Sequence, residues 1–356
     1  MTVEFYPLEV TVHPETDESV ALTFHVPDEL SDTFGHLPGQ HLVLRAEVDG
    51  VETQRSYSIC SPSGAPNPTV GIKRIPDGVF STWATTKLRD GDVVEVMAPI
   101  GEFVHRIDPA ATAKYVAIAA GSGITPILSI VGSILEQEPH SDVTLVYGNR
   151  TSRSVMFLEA VEALKDRFPQ RFQVLHILSR EPNAAPLLEG RIDADKIKAL
   201  ASTLISTDTV DSWFVCGPLD LVETVEATLG ALGVDRARIH KELFFDQRIE
   251  PIAELQPDEN TVELTFTLNG RTSSVHVDPD GPALLDYART VRSEVPFACK
   301  GGMCASCKAR VIEGEVGMDK NYALTSDEVG AGYVLTCQSH TKGDVVLTYD
   351  LHAGPS

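Results

Sequence analysis

At 356 residues the chain has room for two or three domains, each large enough to bury its own core. Its formal net charge of −22, from 51 acidic against 29 basic side chains, argues against nucleic acid or an anionic membrane as a partner, since both demand a basic face. Six cysteines are too few for a disulfide scaffold, no apolar run approaches the ~20 residues of a membrane span, and the polar, alternating N-terminus lacks the regions of a secretory leader; the expectation is a soluble, cytoplasmic protein.

To about residue 107 the sequence reads as short strands between turn signals: LEVTVHPET, SVALTFHVP, HLVLRAEVDG, QRSYSIC, TVGIKRI and DVVEVMAPIG. That spacing predicts an antiparallel β-barrel or sandwich. Within it, Arg55, Ser56, Tyr57 and Ser58 form R-S-Y-S, and DGVFSTW contains Gly78 and Ser81. An arginine can neutralise a pyrophosphate and a tyrosine can lie against a flat ring. Gly78, placed before Ser81 at a helix start, offers unpaired N–H groups to a phosphate. Together they suggest a flavin cradle; a solvated strand edge is the competing reading.

From Lys114 the texture changes to apolar strands alternating with helical segments: KYVAIAAG with TPILSIVGSILEQ, VTLVYGNR with VMFLEAVEALKDRF, FQVLHILS with DADKIKALAS, and SWFVCG with LDLVETVEATLGAL. This is the pattern of a doubly wound α/β parallel sheet. AAGSGITP places Gly121, Gly123 and Pro126 between a strand and a helix, where glycines let backbone approach a pyrophosphate; a plain tight turn would also explain them. In LHILSRE, Ser179 and Arg180 stand where a 2′-phosphate could be held, in place of the acidic residue expected for a free ribose hydroxyl. Cys216, Gly217 and Pro218 end another strand in a sharp turn, although Cys216 could equally be a small buried hydrophobe.

Residues 246–260, DQRIEPIAELQPDEN, have no clean period and read as a linker. TVELTFTL then alternates strictly and meets Asn269-Gly270 and SSVHV, a hairpin. Beyond it Cys299, Cys304 and Cys307 stand as C-x4-C-x2-C with Cys337 far downstream, the spacing of a plant-type [2Fe-2S] ferredoxin. Small residues in CKGGMCASC let the loop wrap a cluster closely. A zinc site is the alternative, but zinc ribbons and fingers usually pair two hooks, and here the fourth cysteine stands alone. Residues 261–356 carry 12 acidic and 8 basic side chains, so the acidity is spread over the chain rather than gathered on this segment.

R-S-Y-S, G-V-F-S, GSGITP, YGNR, CGP and the cysteine block, in that order, resemble the ferredoxin-NADP reductase superfamily fused to a C-terminal plant-type ferredoxin, from PGQH at residues 38–41 to LTYD. More narrowly, YGNRTSRSVMF, KDRFPQRF, EGRID, CKGGMCASCKARV and NYALTSDEVGAGYVLTCQ resemble the reductase subunits of bacterial phenylacetyl-CoA epoxidase complexes. The resemblance implies a multidomain chain: a FAD-binding β-barrel at 1–110, an NAD(P)H-binding α/β domain at 111–245, the linker, and an α+β (β-grasp) [2Fe-2S] domain at 261–356. By the same resemblance Arg55, Ser56, Tyr57, Ser58, Lys73, Gly78 and Ser81 hold FAD. Gly121, Gly123, Thr125, Pro126, Arg150, Ser179, Arg180, Cys216 and Gly217 face the nucleotide, Phe244 covers the flavin ring, and the partner is a di-iron oxygenase.

A nicotinamide yields two electrons as a hydride and a [2Fe-2S] centre accepts one, so a flavin belongs between them. Ser58 and Cys216 are the candidate neighbours of the reacting atoms. VPDELSDTF and LTCQSH also resemble reductases of Rieske-type hydroxylases, such as those acting on ketosteroids. A plain electron carrier, with the first 245 residues as scaffold, is a third possibility.

Overall fold

The computed structural model describes residues 4–76, 78–244, 255, 260–292, 295–297, 300–302, 305–321 and 323–351, with the backbone alone at residues 51 and 52. Cys299 and Cys304, and all of the expected linker except residues 255 and 260, lie outside the described residues. By contact density the chain divides into two compact units, one of residues 5–44 and 57–244, the other of residues 1–4 and 45–56 grouped with the segment from 245 onward.

The first elements are β1 (Phe5–Thr16), β2 (Ser19–His25), α1 (Ser31–Phe34), β3 (His41–Val48), β4 (Val51–Ser58), β5 (Thr69–Lys73), α2 (Val79–Thr86) and β6 (Val93–Met97). The six strands form one sheet in the order β4-β3-β6-β1-β2-β5. Its outer strands meet through an antiparallel bridge between Ile59 and Val70, and Cys60 N donates to Thr69 O at 2.8 Å, so the sheet closes on itself as a barrel. The alternation in the sequence is the cause. Leu8 and Val10 of β1, and Val94 and Val96 of β6, point into the barrel, while Val93 stays exposed.

The next elements are β7 (Lys114–Ala120), α3 (Ile124–Gln137), β8 (Asp142–Asn149), α4 (Leu158–Arg167), β9 (Phe172–Leu178), α5 (Ala194–Thr203), β10 (Ser212–Gly217), α6 (Leu219–Ala231) and β11 (Ile239–Leu243). All strand pairs are parallel, in the order β11-β10-β7-β8-β9. The chain winds outward from β7 through β8 and β9, then returns to the other side of β7 for β10 and β11. This reversal opens a crevice at the carboxyl ends of β7 and β10, where open α/β sheets bind ligands. Every residue of α3 from Ile124 to Leu135 is buried, as expected of a helix apolar on all sides. The fifth strand, β11, lies outside the expected pattern.

The C-terminal elements are β12 (Val262–Leu268), β13 (Arg271–Val277), α7 (Leu284–Val291), β14 (Lys308–Glu313), β15 (Val316–Met318), α8 (Ser326–Gly330), β16 (Tyr333–Leu335), β17 (Ser339–Thr341) and β18 (Val345–Thr348). A mixed sheet runs β13-β12-β18-β14-β16, with β12 and β18 parallel, and β15 pairs with β17 separately. Asn269 and Gly270 turn the β12–β13 hairpin with φ of 52° and 69°, the backbone their residue types favour, and the Asp350 carboxylate accepts from both N–H groups.

Candidate functional site

The barrel contributes a helix start and a strand end. Gly78 is the N-cap of α2 and brings no side chain to the open N–H groups of the first turn. Ser81 does not fill that role either: its Oγ accepts from Ile75 N at 3.3 Å and donates to Gly78 O at 3.2 Å, tying the turn from behind. A Cβ on Gly78 would lie 2.4 Å from both Ser81 Oγ and Ile75 Cγ1, so the close turn requires glycine. The result is a dipole end free to receive an anion. Tyr57 is half-buried, its ring 5.6 Å from that of Phe80.

At the end of β4, Ser58 is buried and its Oγ donates to Glu242 Oε2 at 3.4 Å. Glu242 lies on β11 in register with Cys216 of β10, so hydroxyl, carboxylate and thiol gather at the crevice. The Cys216 side chain is fully buried. Burial first, and then the Glu242 charge, push its thiol well above the ordinary cysteine range, so it stays protonated at neutral pH. Glu242 is absent from the sequence expectations. Its only signal is an acidic residue two positions before Phe244, whose N–H donates to Gly217 O at 2.9 Å and whose half-buried ring packs against the core of the sheet.

Gly121 to Gly123 form a single tight turn between β7 and α3. A Cβ on Gly123 would lie 2.3 Å from Cys216 O and 2.8 Å from Gly217 N. Only hydrogen fits there, and the backbones of the two strand ends therefore form a bare floor suited to a pyrophosphate. Thr125 and Pro126 are buried at the start of α3, and Thr125 Oγ1 donates to Ser122 O at 3.0 Å, which ties the turn. Tyr147, also unanticipated, donates from its phenol to Gly121 O at 3.1 Å.

At the outer edge Ser179 is half-buried, while Arg150 and Arg180 are exposed. Ser179 N donates to Asn149 O and Arg180 N to Arg150 O, both at 2.9 Å, so the loops after β8 and β9 run side by side. Lys73 of β5 is half-buried. Burial holds its ammonium below the usual lysine range, against the pull of Glu18 and with a smaller push from Arg150.

The other two flavin-site candidates group with the C-terminal unit. The Arg55 guanidinium lies 4.7 Å from the centre of the Phe297 ring, which Arg289 covers at 4.4 Å, and Ser56 Oγ is 3.5 Å from Ser306 Oγ.

Of the four cysteines of the cluster motif, Cys307 and Cys337 are described, and both are buried in the C-terminal core. The pairing of Lys308 with Leu335 brings them to one end of β14 and β16, and Thr336 donates through N and Oγ1 to Cys307 O at 3.2 and 3.0 Å. Burial raises the Tyr349 phenol above its ordinary range, against the opposing effect of its hydrogen bond to Thr336. Around Cys307 the backbone coils through left-handed conformations at Lys300, Gly302 and Ala305. A Cβ on Gly302 would meet Lys320 O at 2.9 Å, and the loop is fastened by Gln338 Nε2 to Lys300 O at 2.8 Å and by Lys300 Nζ to Asp286 Oδ1 at 2.6 Å. At the described residues 300–302 and 305–307, tied backbone in left-handed turns beside buried thiols fits a cluster held by thiolates.

The family model for the oxidoreductase FAD-binding domain matches residues 9–105, that for the oxidoreductase NAD-binding domain residues 117–227, and that for the 2Fe-2S iron-sulfur cluster binding domain residues 266–342. Three such parts in this order define a flavin- and pyridine-nucleotide-dependent iron–sulfur oxidoreductase. The chain is 42% identical to a subunit of the 1,2-phenylacetyl-CoA epoxidase of Escherichia coli, over 97% of this chain and 98% of that protein. It is 34% identical to the ferredoxin reductase component of 3-ketosteroid-9-alpha-monooxygenase of Rhodococcus rhodochrous, over 93% and 92%. Phthalate dioxygenase reductase, a modular structure for electron transfer from pyridine nucleotides to [2Fe-2S], shares the fold with a TM-score of 0.60 at 22% identity, covering 97% of this chain and 98% of that one. The chain therefore belongs to the family of three-part FAD, NAD(P)H and [2Fe-2S] reductases that includes the epoxidase component and the ketosteroid monooxygenase components. Among the described residues no helix is long and apolar enough to cross a membrane.

Proposed function

We propose that this reductase draws electrons from NADPH and delivers them, through FAD and a [2Fe-2S] cluster, to the di-iron oxygenase of a phenylacetyl-CoA epoxidase in phenylacetate catabolism. The observation that carries the reading is the 42% identity to the epoxidase component, which runs through all three parts. The domain limits are 1–110, 111–245 and 261–356, with 246–260 as linker, in keeping with the three family matches.

The bound flavin supplies the conversion between two-electron and one-electron chemistry. The chain's own residues do the rest. The uncapped start of α2, with Arg55, Ser56 and Lys73, receives the flavin phosphates, and Tyr57 and Phe244 flank the ring. The bare floor at Gly121, Gly123 and Gly217 receives the coenzyme pyrophosphate, and Ser179, Arg180 and Arg150 take its 2′-phosphate. Ser58, its hydroxyl turned toward Glu242, presents a neutral oxygen, and the protonated Cys216 a neutral thiol, beside the reacting ring edges. Cys299, Cys304, Cys307 and Cys337 hold the cluster.

The test is reconstitution of the purified reductase with the epoxidase oxygenase components on one side and with a ketosteroid hydroxylase oxygenase on the other. NADPH-dependent epoxidation of phenylacetyl-CoA is expected. Turnover with the ketosteroid oxygenase alone would replace this reading with the second one, which the 34% identity to the ketosteroid monooxygenase component favours.

A further inference from the structure

Glu181 follows Arg180 directly, and a carboxylate in that position is a built-in competitor for the guanidinium. In the structure it is occupied elsewhere. Glu181 Oε1 accepts from Ser152 N at 2.9 Å and from Ser152 Oγ at 3.1 Å. These two bonds extend the ladder begun by Ser179 N to Asn149 O and Arg180 N to Arg150 O, so the loops after β8 and β9 are joined at three successive points. The Ser152 side is itself rigid: Thr151 N donates to Ser154 Oγ at 3.0 Å, and Ser154 N and Oγ both return to Thr151 O. Around this latch stand Arg150, Arg153 and Arg180, all exposed, and among the described residues none of the three is within ion-pairing distance of a carboxylate. In a chain of net charge −22, three unpaired arginines on two adjoining loops form a local cationic patch.

We infer that the Ser152–Glu181 latch is a positioning device for coenzyme choice: by holding the carboxylate on Ser152 it keeps Arg180 open to the 2′-phosphate of NADPH. The inference rests on the NADPH reading above. Cut loose, the Glu181 side chain can swing onto the adjacent guanidinium, where it both pairs with Arg180 and repels an incoming dianion. On this inference Ser152 acts through Glu181, to which both its donors are committed, so its effect should fall on the 2′-phosphate and spare the adenine, pyrophosphate and nicotinamide contacts.

The experiment uses the FAD- and cluster-loaded protein. It measures kcat/KM for NADPH and for NADH with ferricyanide as acceptor, together with calorimetric affinity for 2′,5′-ADP against 5′-AMP. Wild type and Arg180→Ala come first, and they test the NADPH reading alone: if wild type prefers NADH, or Arg180→Ala weakens 2′,5′-ADP and 5′-AMP equally, that reading fails before the latch is considered. Given a wild-type preference for NADPH, Ser152→Ala removes one of the two donors and Ser152→Pro both. Proline suits the first position of this turn, so the loop is expected to fold. Each should weaken 2′,5′-ADP and lower kcat/KM for NADPH, by up to roughly tenfold in Ser152→Pro, with 5′-AMP and NADH changed less than twofold. Adding Glu181→Gln should restore the preference, because the released group is then uncharged. Equal losses for both coenzymes, or failure of Glu181→Gln to restore the preference in Ser152→Pro, would overturn the latch and leave Ser152 as a loop-folding residue.

Discussion

Gly123→Ala places a methyl group where the structure has carbonyl. The new Cβ would stand 2.3 Å from Cys216 O, 2.6 Å from its carbonyl carbon and 2.8 Å from Gly217 N, about 1 Å short of ordinary contact. All three obstacles are backbone atoms at the end of β10, a strand held in register on both sides by β7 and β11, so no side chain can swing aside to relieve the overlap. Over-filling a packed interior costs about 1–3 kcal/mol, which for a unit of this size lowers Tm by roughly 2–12 °C. The relief must come from parting β7 and β10 by close to an ångström, and a shift of that size at a reacting site costs on the order of 100-fold in rate. The assay is NADPH–ferricyanide kcat/KM on protein of verified FAD content, with thermal unfolding alongside. A variant with wild-type Tm and a rate within about threefold of wild type would show that the two strand ends are not the rigid floor argued for above.

Cys337→Ser should abolish the [2Fe-2S] absorbance and transfer to the oxygenase, yet leave NADPH–ferricyanide activity largely intact; loss of flavin reduction in a folded variant would defeat the modular reading. Arg55→Ala should weaken FAD retention in equilibrium dialysis, by about 1.5–3 kcal/mol if it carries a charge-assisted bond to a phosphate, and full retention would leave it a structural residue that packs on Phe297 and donates to Gln54 O. Burial raises the thiols of both Cys60 and Cys216 above their ordinary value, so on alkaline titration the unfolded chain loses these protons first, and stability present below about pH 9 is lost as pH rises. The urea midpoint should therefore fall between pH 8 and pH 10 more steeply in wild type than in a Cys60→Ala/Cys216→Ala double variant, whereas parallel slopes would exclude these thiols as the cause.

Much of this architecture is written locally. Strands such as β1 and β6 announce themselves by alternation because one of their faces is wet, and the Asn269-Gly270 hairpin because few other residue pairs take two left-handed positions in succession. β11 escapes because IHKEL is half-buried along four of its five residues, which leaves neither alternation nor an apolar run to read. Glu242 is invisible for a related reason. A carboxylate on a strand reads as solvated until the parallel register sets it opposite Cys216 and the barrel brings Ser58 within 3.4 Å. The roles of Ser81 and Thr125 shift likewise: both belong to motifs that suggest ligand contact, yet both spend their hydroxyls on the turns that shape the cradle. The grouping of residues 45–56 with the C-terminal segment has no local signature, since it depends on contacts between residues some 250 positions apart.

The burial of α3 on every side bears on how such reductases can be recombined. One face of the helix lies on its own sheet, while Ser129 Oγ donates to Ser61 O, Ser133 Oγ accepts from Ser63 N, and Gln137 Nε2 donates to Ser63 O, all on the loop that leaves the barrel after β4. The helix is thus a shared keel, laid by the second family domain and planked by the first. A gene fusion that exchanged flavin barrels at residue 110 would replace the loop that α3 binds through Ser129, Ser133 and Gln137, and could leave the buried Ser129 hydroxyl without its acceptor. A junction drawn within 246–260 would leave those bonds untouched. A chimaera that exchanges the ferredoxin part should therefore carry residues 45–56 along with it, because Arg55 and Ser56 meet Phe297 and Ser306, whereas a junction at residue 110 cuts the bonds of α3 itself.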